Sequence, residues 1–146
     1  MQIVDANVLL YAVNADAAHH RTAKAWLDAA LAGGSAVGFS WVVLLAFLRL
    51  ATSPRVFAQP LTIDVACDVV DGWLGQAAAV VVEPTARHLR VLGGLLAETG
   101  SAANLVNDAH LAALAAELDA EIISYDHDFG RFPGVRWRTP ADSFGR

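Results

Sequence analysis

Four aspartates, Asp5, Asp108, Asp126 and Asp128, stand where an α/β chain would bring carboxylates together. Asp5 directly follows the apolar run Gln2-Ile3-Val4, and Asp126 and Asp128 follow Glu121-Ile122-Ile123-Ser124. As strands of one open sheet, these runs would deliver their acids to its carboxyl edge, the crevice in which such sheets bind ligands. Asp108 arrives by a separate argument. Leu111, Ala112 and Ala115 lie three, four and seven positions beyond it, an apolar helical stripe that turns Asp108 toward the interior. Two like charges roughly 4 Å apart repel by about 4 kcal/mol at an effective dielectric near 20, so the cluster requires a cation or the protonation of some members. Hard oxygen ligands without an accompanying Cys/His set select Mg²⁺ or Mn²⁺ over zinc.

The elements that must position these acids alternate between short apolar runs and helical patterns, the signature of an α/β fold. Strands are expected at residues 2–4, 36–39, 79–82, 121–124 and 135–137, forming a central, mostly parallel sheet of four to five strands flanked by helices. Between them, Ala23, Trp26, Leu27, Ala30 and Leu31 form one helical stripe, ended by Gly33-Gly34. A second helix is expected over 41–52, and a third carries Ala66, Val69, Val70 and Trp73 behind a Thr62 cap. Leu89, Leu92, Gly93 and Leu96 line a fourth, and Asn104 is the expected cap of the helix that carries Asp108. Residues 53–60 and 100–103 read as connections too short to link domains, so residues 1–146 form a single domain.

A 55% hydrophobic chain with 17% charged residues excludes disorder and leaves apolar surface for a partner. The lone Cys67 excludes an internal disulfide, fits a reducing compartment and reads as core packing. The longest nearly apolar run, 36–48, is shorter than the ~20 residues of a membrane span. With no basic leader ahead of the first strand, a cytoplasmic protein with no membrane contact is expected. A net charge of −5 argues against a broad electrostatic grip on nucleic acid, yet Arg131, Arg136, Arg138 and Arg146 face only Asp142 in the closing stretch. Such a tail could hold phosphates beside an acidic centre. Trp26, Trp41, Trp73 and Trp137 read as core residues, with Trp137 the one suited to base stacking. His19, His20 and His110 read as capping or surface residues rather than ligands, whereas His127, between two acids, could titrate near neutral pH or touch nucleic acid.

Four segments occur in order: Asp5-Ala6-Asn7-Val8-Leu9; the stretch from Ser40-Trp41 through Ala46-Phe47-Leu48-Arg49; Asn107-Asp108-Ala109-His110-Leu111-Ala112; and Ser124-Tyr125-Asp126-His127-Asp128-Phe129. Together they resemble the PIN-domain ribonucleases, and specifically the VapC toxins of type II toxin–antitoxin pairs, nearly end to end. The resemblance implies a PIN-like fold and a Mg²⁺-dependent endoribonuclease that cuts a transfer-RNA or ribosomal-RNA loop and so inhibits translation and growth. It also implies a homodimer held by a VapB-type antitoxin. Asp5, Asp108 and Asp126 would then be catalytic, with Asp5 and Asp108 the primary metal ligands and Asp126 and Asp128 completing the site. Asn7 and Ser124 would orient the carboxylates, as outer hydrogen-bond partners commonly do, and Arg131, Arg136 and Arg138 would contact RNA.

One position departs from the pattern. The family's second acid is a glutamate in the helix after the second strand, and Ala46 stands there. It is either a natural loss or a replacement that silences a toxic nuclease. The rival reading is a degenerate PIN-like domain that binds RNA or a protein without cutting. A phosphotransfer or phosphatase domain fits less well, because Asp5-Ala6-Asn7 lacks an acid two positions on and Lys24 falls inside a helix. No Gly-rich phosphate loop is present.

Overall fold

A computed structural model describes residues 1–100 and 103–144. Two expectations fall outside them, the middle of the 100–103 connection and Arg146. The chain runs β1 (Gln2–Val4), α1 (Ala6–Val13), α2 (His20–Leu31), β2 (Val37–Phe39), α3 (Trp41–Ala51), α4 (Ile63–Leu74), β3 (Ala79–Val81), α5 (His88–Thr99), α6 (Val106–Glu117), β4 (Glu121–Ile123) and β5 (Trp137–Arg138). The five strands pair in the order β3-β2-β1-β4-β5, every pair parallel. The chain winds outward from β1 to the β3 edge, then returns to lay β4 on the other side of β1. This makes the β1–β4 boundary a topological switch point, where strand ends diverge and leave a crevice.

Burial on both faces explains the uninterrupted apolar strands. Ile3, Val4, Ile122 and Ile123 are wholly inaccessible, sandwiched with Leu9, Leu44, Phe47 and Leu114 from the helices. At Gly38 a Cβ would meet Val82 Cγ1 at 3.0 Å and Ile3 Cγ1 at 3.1 Å, so this central strand position takes no larger residue without displacing its neighbours. Phe39 and Phe47 close the layer around Trp73, whose ring lies 4.9 Å from that of Phe47 in a T-shaped pair.

Several local expectations change. Thr62 caps α4, accepting from the Val65 amide at 3.4 Å, but Asn104 is not the cap of α6. It lies inside a 3-10 turn, Ala103–Leu105, that runs straight into α6, and Leu105 already has φ −95 and ψ −3. No extended residue remains there to fold its side chain back onto the first amides. Leu89 is 80% exposed rather than part of an inward stripe, because α5, which packs on α6, turns Leu92, Leu95 and Leu96 to the core instead, and Gly93 faces outward. Gly100, at φ +68, ends that helix in the left-handed conformation that glycine adopts without a Cβ clash. Cys67 is exposed: Ala66 and Val70 form the inner face of α4, and the next residue around the helix points away. Trp41, at the head of α3, is also exposed, while Trp26 is buried. The last strand begins at Trp137 rather than at 135.

Candidate metal centre

Val4 and Ile123 are register partners, so Asp5 and Ser124 leave the sheet side by side at the switch point. The Asp5 amide donates to Ile123 O at 3.0 Å, carrying the pairing one residue past the strand. The Asp5 side chain then caps α1. Its Oδ1 accepts from the Ala6 amide at 2.7 Å, and its Oδ2 accepts from Ser124 Oγ at 2.7 Å and Asn7 Nδ2 at 3.0 Å. Ser124 Oγ accepts in turn from Asn7 Nδ2 at 3.0 Å and from the Asp126 amide at 2.9 Å. Asn7 Oδ1 takes the Tyr125 amide at 3.1 Å, which fixes the orientation of its amide. Asp126 Oδ1 accepts from the Asp128 amide at 2.9 Å and starts the 3-10 turn His127–Arg131, on which Asp128 rides. Asp108 sits in the first turn of α6, where exposed amides and the helix dipole favour negative charge.

Asp108, Asp126 and Asp128 each offer a carboxylate oxygen, and these oxygens lie within 4.8 Å of one another. Asp5 stands outside that trio but acts on it. Burial pushes the Asp108 carboxyl up to about 6, with the charges of Asp126, Asp5 and Asp128 adding to the effect. Burial also raises Asp5, against the opposing pull of its hydrogen bonds from Ser124, Ala6 and Asn7 and with the charge of Asp126 reinforcing it. Among the described residues the only cation within ion-pair reach of the trio is Arg131, whose Nη1 is 3.9 Å from Asp128 Oδ1 at the exposed rim. Convergent hard oxygens with little cationic compensation fit a divalent ion.

A cleft of about 430 Å³ opens beside the acids, bounded by Asp5, Asn107 and Asp108 on one side and by Leu45, Ala46 and Arg49 of α3 on the other. The Ala46 methyl therefore shares the cleft with two of the acids. Asn107 and Arg49 stand in the motif segments of the sequence, but neither was among the expected site residues. Arg49 was accessible to sequence reasoning, lying three residues past Ala46 on the same helical face.

The three expected RNA-contacting arginines are not gathered together. Arg131 is at the site's rim, but Arg136 donates to the carbonyl and carboxylate of Asp119 at 2.8 and 2.9 Å, at the start of β4 and the far end of the sheet. Arg138 Nε lies 3.1 Å from Glu121 Oε2, without the alignment of a hydrogen bond. His127 packs edge-on against Trp137 at 5.3 Å. His110 faces away from the acids into a separate chain, in which Glu117 Oε2 meets His88 Nδ1 at 2.6 Å and His88 Nε2 meets His110 Nδ1 at 2.8 Å. Burial, followed by the charge of His88, moves the His110 ring below its usual value.

This sheet order, with acids from three separated segments at its switch point, defines a PIN domain: residues 3–135 match that family, and the chain belongs to it. It is 57% identical over 140 residues to Ribonuclease VapC37 of Mycobacterium tuberculosis, an alignment covering 96% of this chain and 97% of that protein. Ribonuclease VapC33 of the same species is 42% identical, with 96% and 98% covered. The fold also matches VapBC2 from Rickettsia felis, solved bound to a promoter DNA fragment, at a TM-score of 0.69, 18% identity and coverage of 94% and 97%.

Proposed function

We propose that this chain is a divalent-metal-dependent endoribonuclease toxin that cuts a structured RNA loop, in transfer or ribosomal RNA, and is held in check by a VapB-type antitoxin. The carrying observation is the meeting of Asp108, Asp126 and Asp128, with Asp5 beside them, at one end of the sheet. The 57% identity to a protein named a ribonuclease supports RNA as the substrate. A Mg²⁺ or Mn²⁺ ion held by these carboxylates would lower the pKa of a water and offset charge on the phosphate under attack. The chain's own part is positioning. Ser124 and Asn7 hold the Asp5 carboxylate in one orientation, and the Asp126 cap anchors the turn that carries Asp128 toward Asp108. Splayed single-stranded loops are the usual target of sequence-specific RNA recognition, and an open cleft beside the acids accommodates one.

Exposed Trp41, Val42 and Leu45 on α3, next to the cleft, support protein partners there, both an antitoxin segment and a second copy of the chain. No helix among the described residues is long and apolar enough to cross a membrane, and a cytoplasmic site of action belongs to the proposal. Ala46 leaves the cleft one carboxylate short of the family pattern and lowers the rate. It is also what favours the second reading, a PIN-like domain that binds RNA or a protein without cutting.

Restoring the acid separates the two. Ala46→Glu and the parent chain would be compared for Mg²⁺-dependent cleavage of a mixed transfer-RNA pool, with 5′ ends mapped in cells with and without the antitoxin. The glutamate version should cut roughly 10- to 100-fold faster, the scale of loss when groups supporting a metal are removed. If Ala46→Glu leaves cleavage and growth unchanged and Asp5→Asn does too, the binding reading replaces the nuclease one.

A further inference from the structure

We infer that Arg49 is the phosphate-binding residue of the acid cleft, its guanidinium gripping an RNA phosphate alongside the carboxylates; this rests on the nuclease reading above. Val42, Leu45, Ala46 and Arg49 follow the i, i+3, i+4, i+7 spacing of one helical face, and all four line the cleft that Asp5 and Asp108 line from the other side. Arg49 is the one cationic residue among those bounding it. It is solvent-exposed, and among the described residues it forms no ion pair and no side-chain hydrogen bond. Arg131, Arg136 and Arg138, by contrast, each have a carboxylate within ion-pair distance.

The geometry therefore places a free, planar set of five donors beside a site where a polyanion must come to rest. A chain of net charge −5 with four clustered acids repels RNA at that point, and a local cation gives one phosphate a foothold. Arginine suits the task because its paired N–H groups match two phosphate oxygens at once. The alanine at position 46 contributes to this. A glutamate there would lie one turn from Arg49 on the same face, where oppositely charged side chains pair, and would draw the guanidinium away from solvent. Ala46 leaves it unclaimed.

The test measures RNA binding by the full chain, using fluorescence anisotropy of a labelled single-stranded oligoribonucleotide at fixed Mg²⁺ and rising KCl. Arg49→Ala, Arg49→Lys and, as a control for charge alone, Arg90→Ala would be compared with the parent. Arg49→Ala should weaken binding about tenfold at low salt, and the plot of log affinity against log salt should flatten by up to about 0.7, the contribution of one phosphate contact on a single strand. Arg49→Lys should keep the parent's slope and recover only part of the affinity, and Arg90→Ala should match the parent. Thermal unfolding should be unchanged throughout, because both side chains are exposed. The inference is overturned if Arg49→Ala retains the parent's affinity and slope, or if Arg90→Ala loses as much as Arg49→Ala. Should the parent bind no RNA at any salt, the nuclease reading falls together with it.

Discussion

Ser124 Oγ donates to Asp5 Oδ2 at 2.7 Å across 119 positions of sequence, and this one bond joins the two strand ends that form the switch point. Ser124 is fully buried, and the same oxygen accepts from Asn7 and from the Asp126 amide, so it leaves none of its hydrogen-bonding capacity unused. Ser124→Ala would take one of its donors from the Asp5 carboxylate and leave the Asp126 amide and one Asn7 N–H without their acceptor. Leaving buried polar groups unpaired costs about 1–3 kcal/mol, and urea unfolding of the metal-free protein should show a loss in that range. Ser124→Thr, which restores the hydroxyl, should recover most of it. A Ser124→Ala chain as stable as the parent would mean that the bond organises nothing.

Metal binding gives a second expectation. Titrating Mn²⁺ should broaden NMR resonances around Asp5, Asp108, Asp126 and Asp128, where carboxylate oxygens converge. Asp5→Asn combined with Asp108→Asn replaces two anionic carboxylates with neutral, weaker amide oxygens at that point, and the broadening should vanish. Persistence of the same broadening in the double variant would place the ion elsewhere.

The pH dependence of stability follows from Asp108. Burial, with the charges of Asp126, Asp5 and Asp128 behind it, raises its carboxyl from 3.8 to about 6 in the folded chain. A raised acid holds its proton more tightly folded than unfolded, so its contribution is most favourable below the unfolded value. It is lost as pH climbs from there through about 6. The group is half exposed, so solvent screening keeps the effect modest. Thermal melts of metal-free protein should therefore show greater stability near about pH 5 than near about pH 7 from this group, and Asp108→Asn should flatten the difference. Added Mg²⁺ should stabilise more at the higher pH, where the carboxylates are ionised. A Mg²⁺ effect that grows as pH falls would contradict a carboxylate site.

What the sequence carried was the pattern of burial. Parallel strands covered on both faces must read as apolar runs, so β1 and β4 and the acids just beyond them were legible, as was the inward stripe of Leu111, Ala112 and Ala115 below Asp108. Features that depend on which neighbour an element finds were not legible. Leu89 and Leu92 are alike in sequence, yet Leu92 packs against the core while Leu89 is left exposed. Cys67 looks like a core residue until Ala66 and Val70 take the inner face of α4. The asparagine at 104 has the chemistry of a cap, and a 3-10 turn removed the extended backbone it needed. In the site, the acids were visible as types and spacings, but the pairing of Arg136 with Asp119 and the freedom of Arg49 are tertiary facts.

Assembly supplies the last expectation. Trp41, Val42 and Leu45 fall on the exposed side of α3, with Trp41 47% and Leu45 58% accessible, and α4, packed against α3, adds exposed Ile63 and Val65. Scattered apolar residues need no explanation, but several large ones on adjoining helices mark a surface that a partner covers. A second copy of this chain would bury that surface without any further component, and an isologous contact would present the same patch on both sides. Light scattering should report a dimer at tens of micromolar, roughly the working range of a weak interface. Trp41→Lys places a charge on the patch without touching the acids, and it should shift the protein toward monomer while leaving Mn²⁺ broadening at the carboxylates intact. A monomeric parent at that concentration would rule out self-association through this patch.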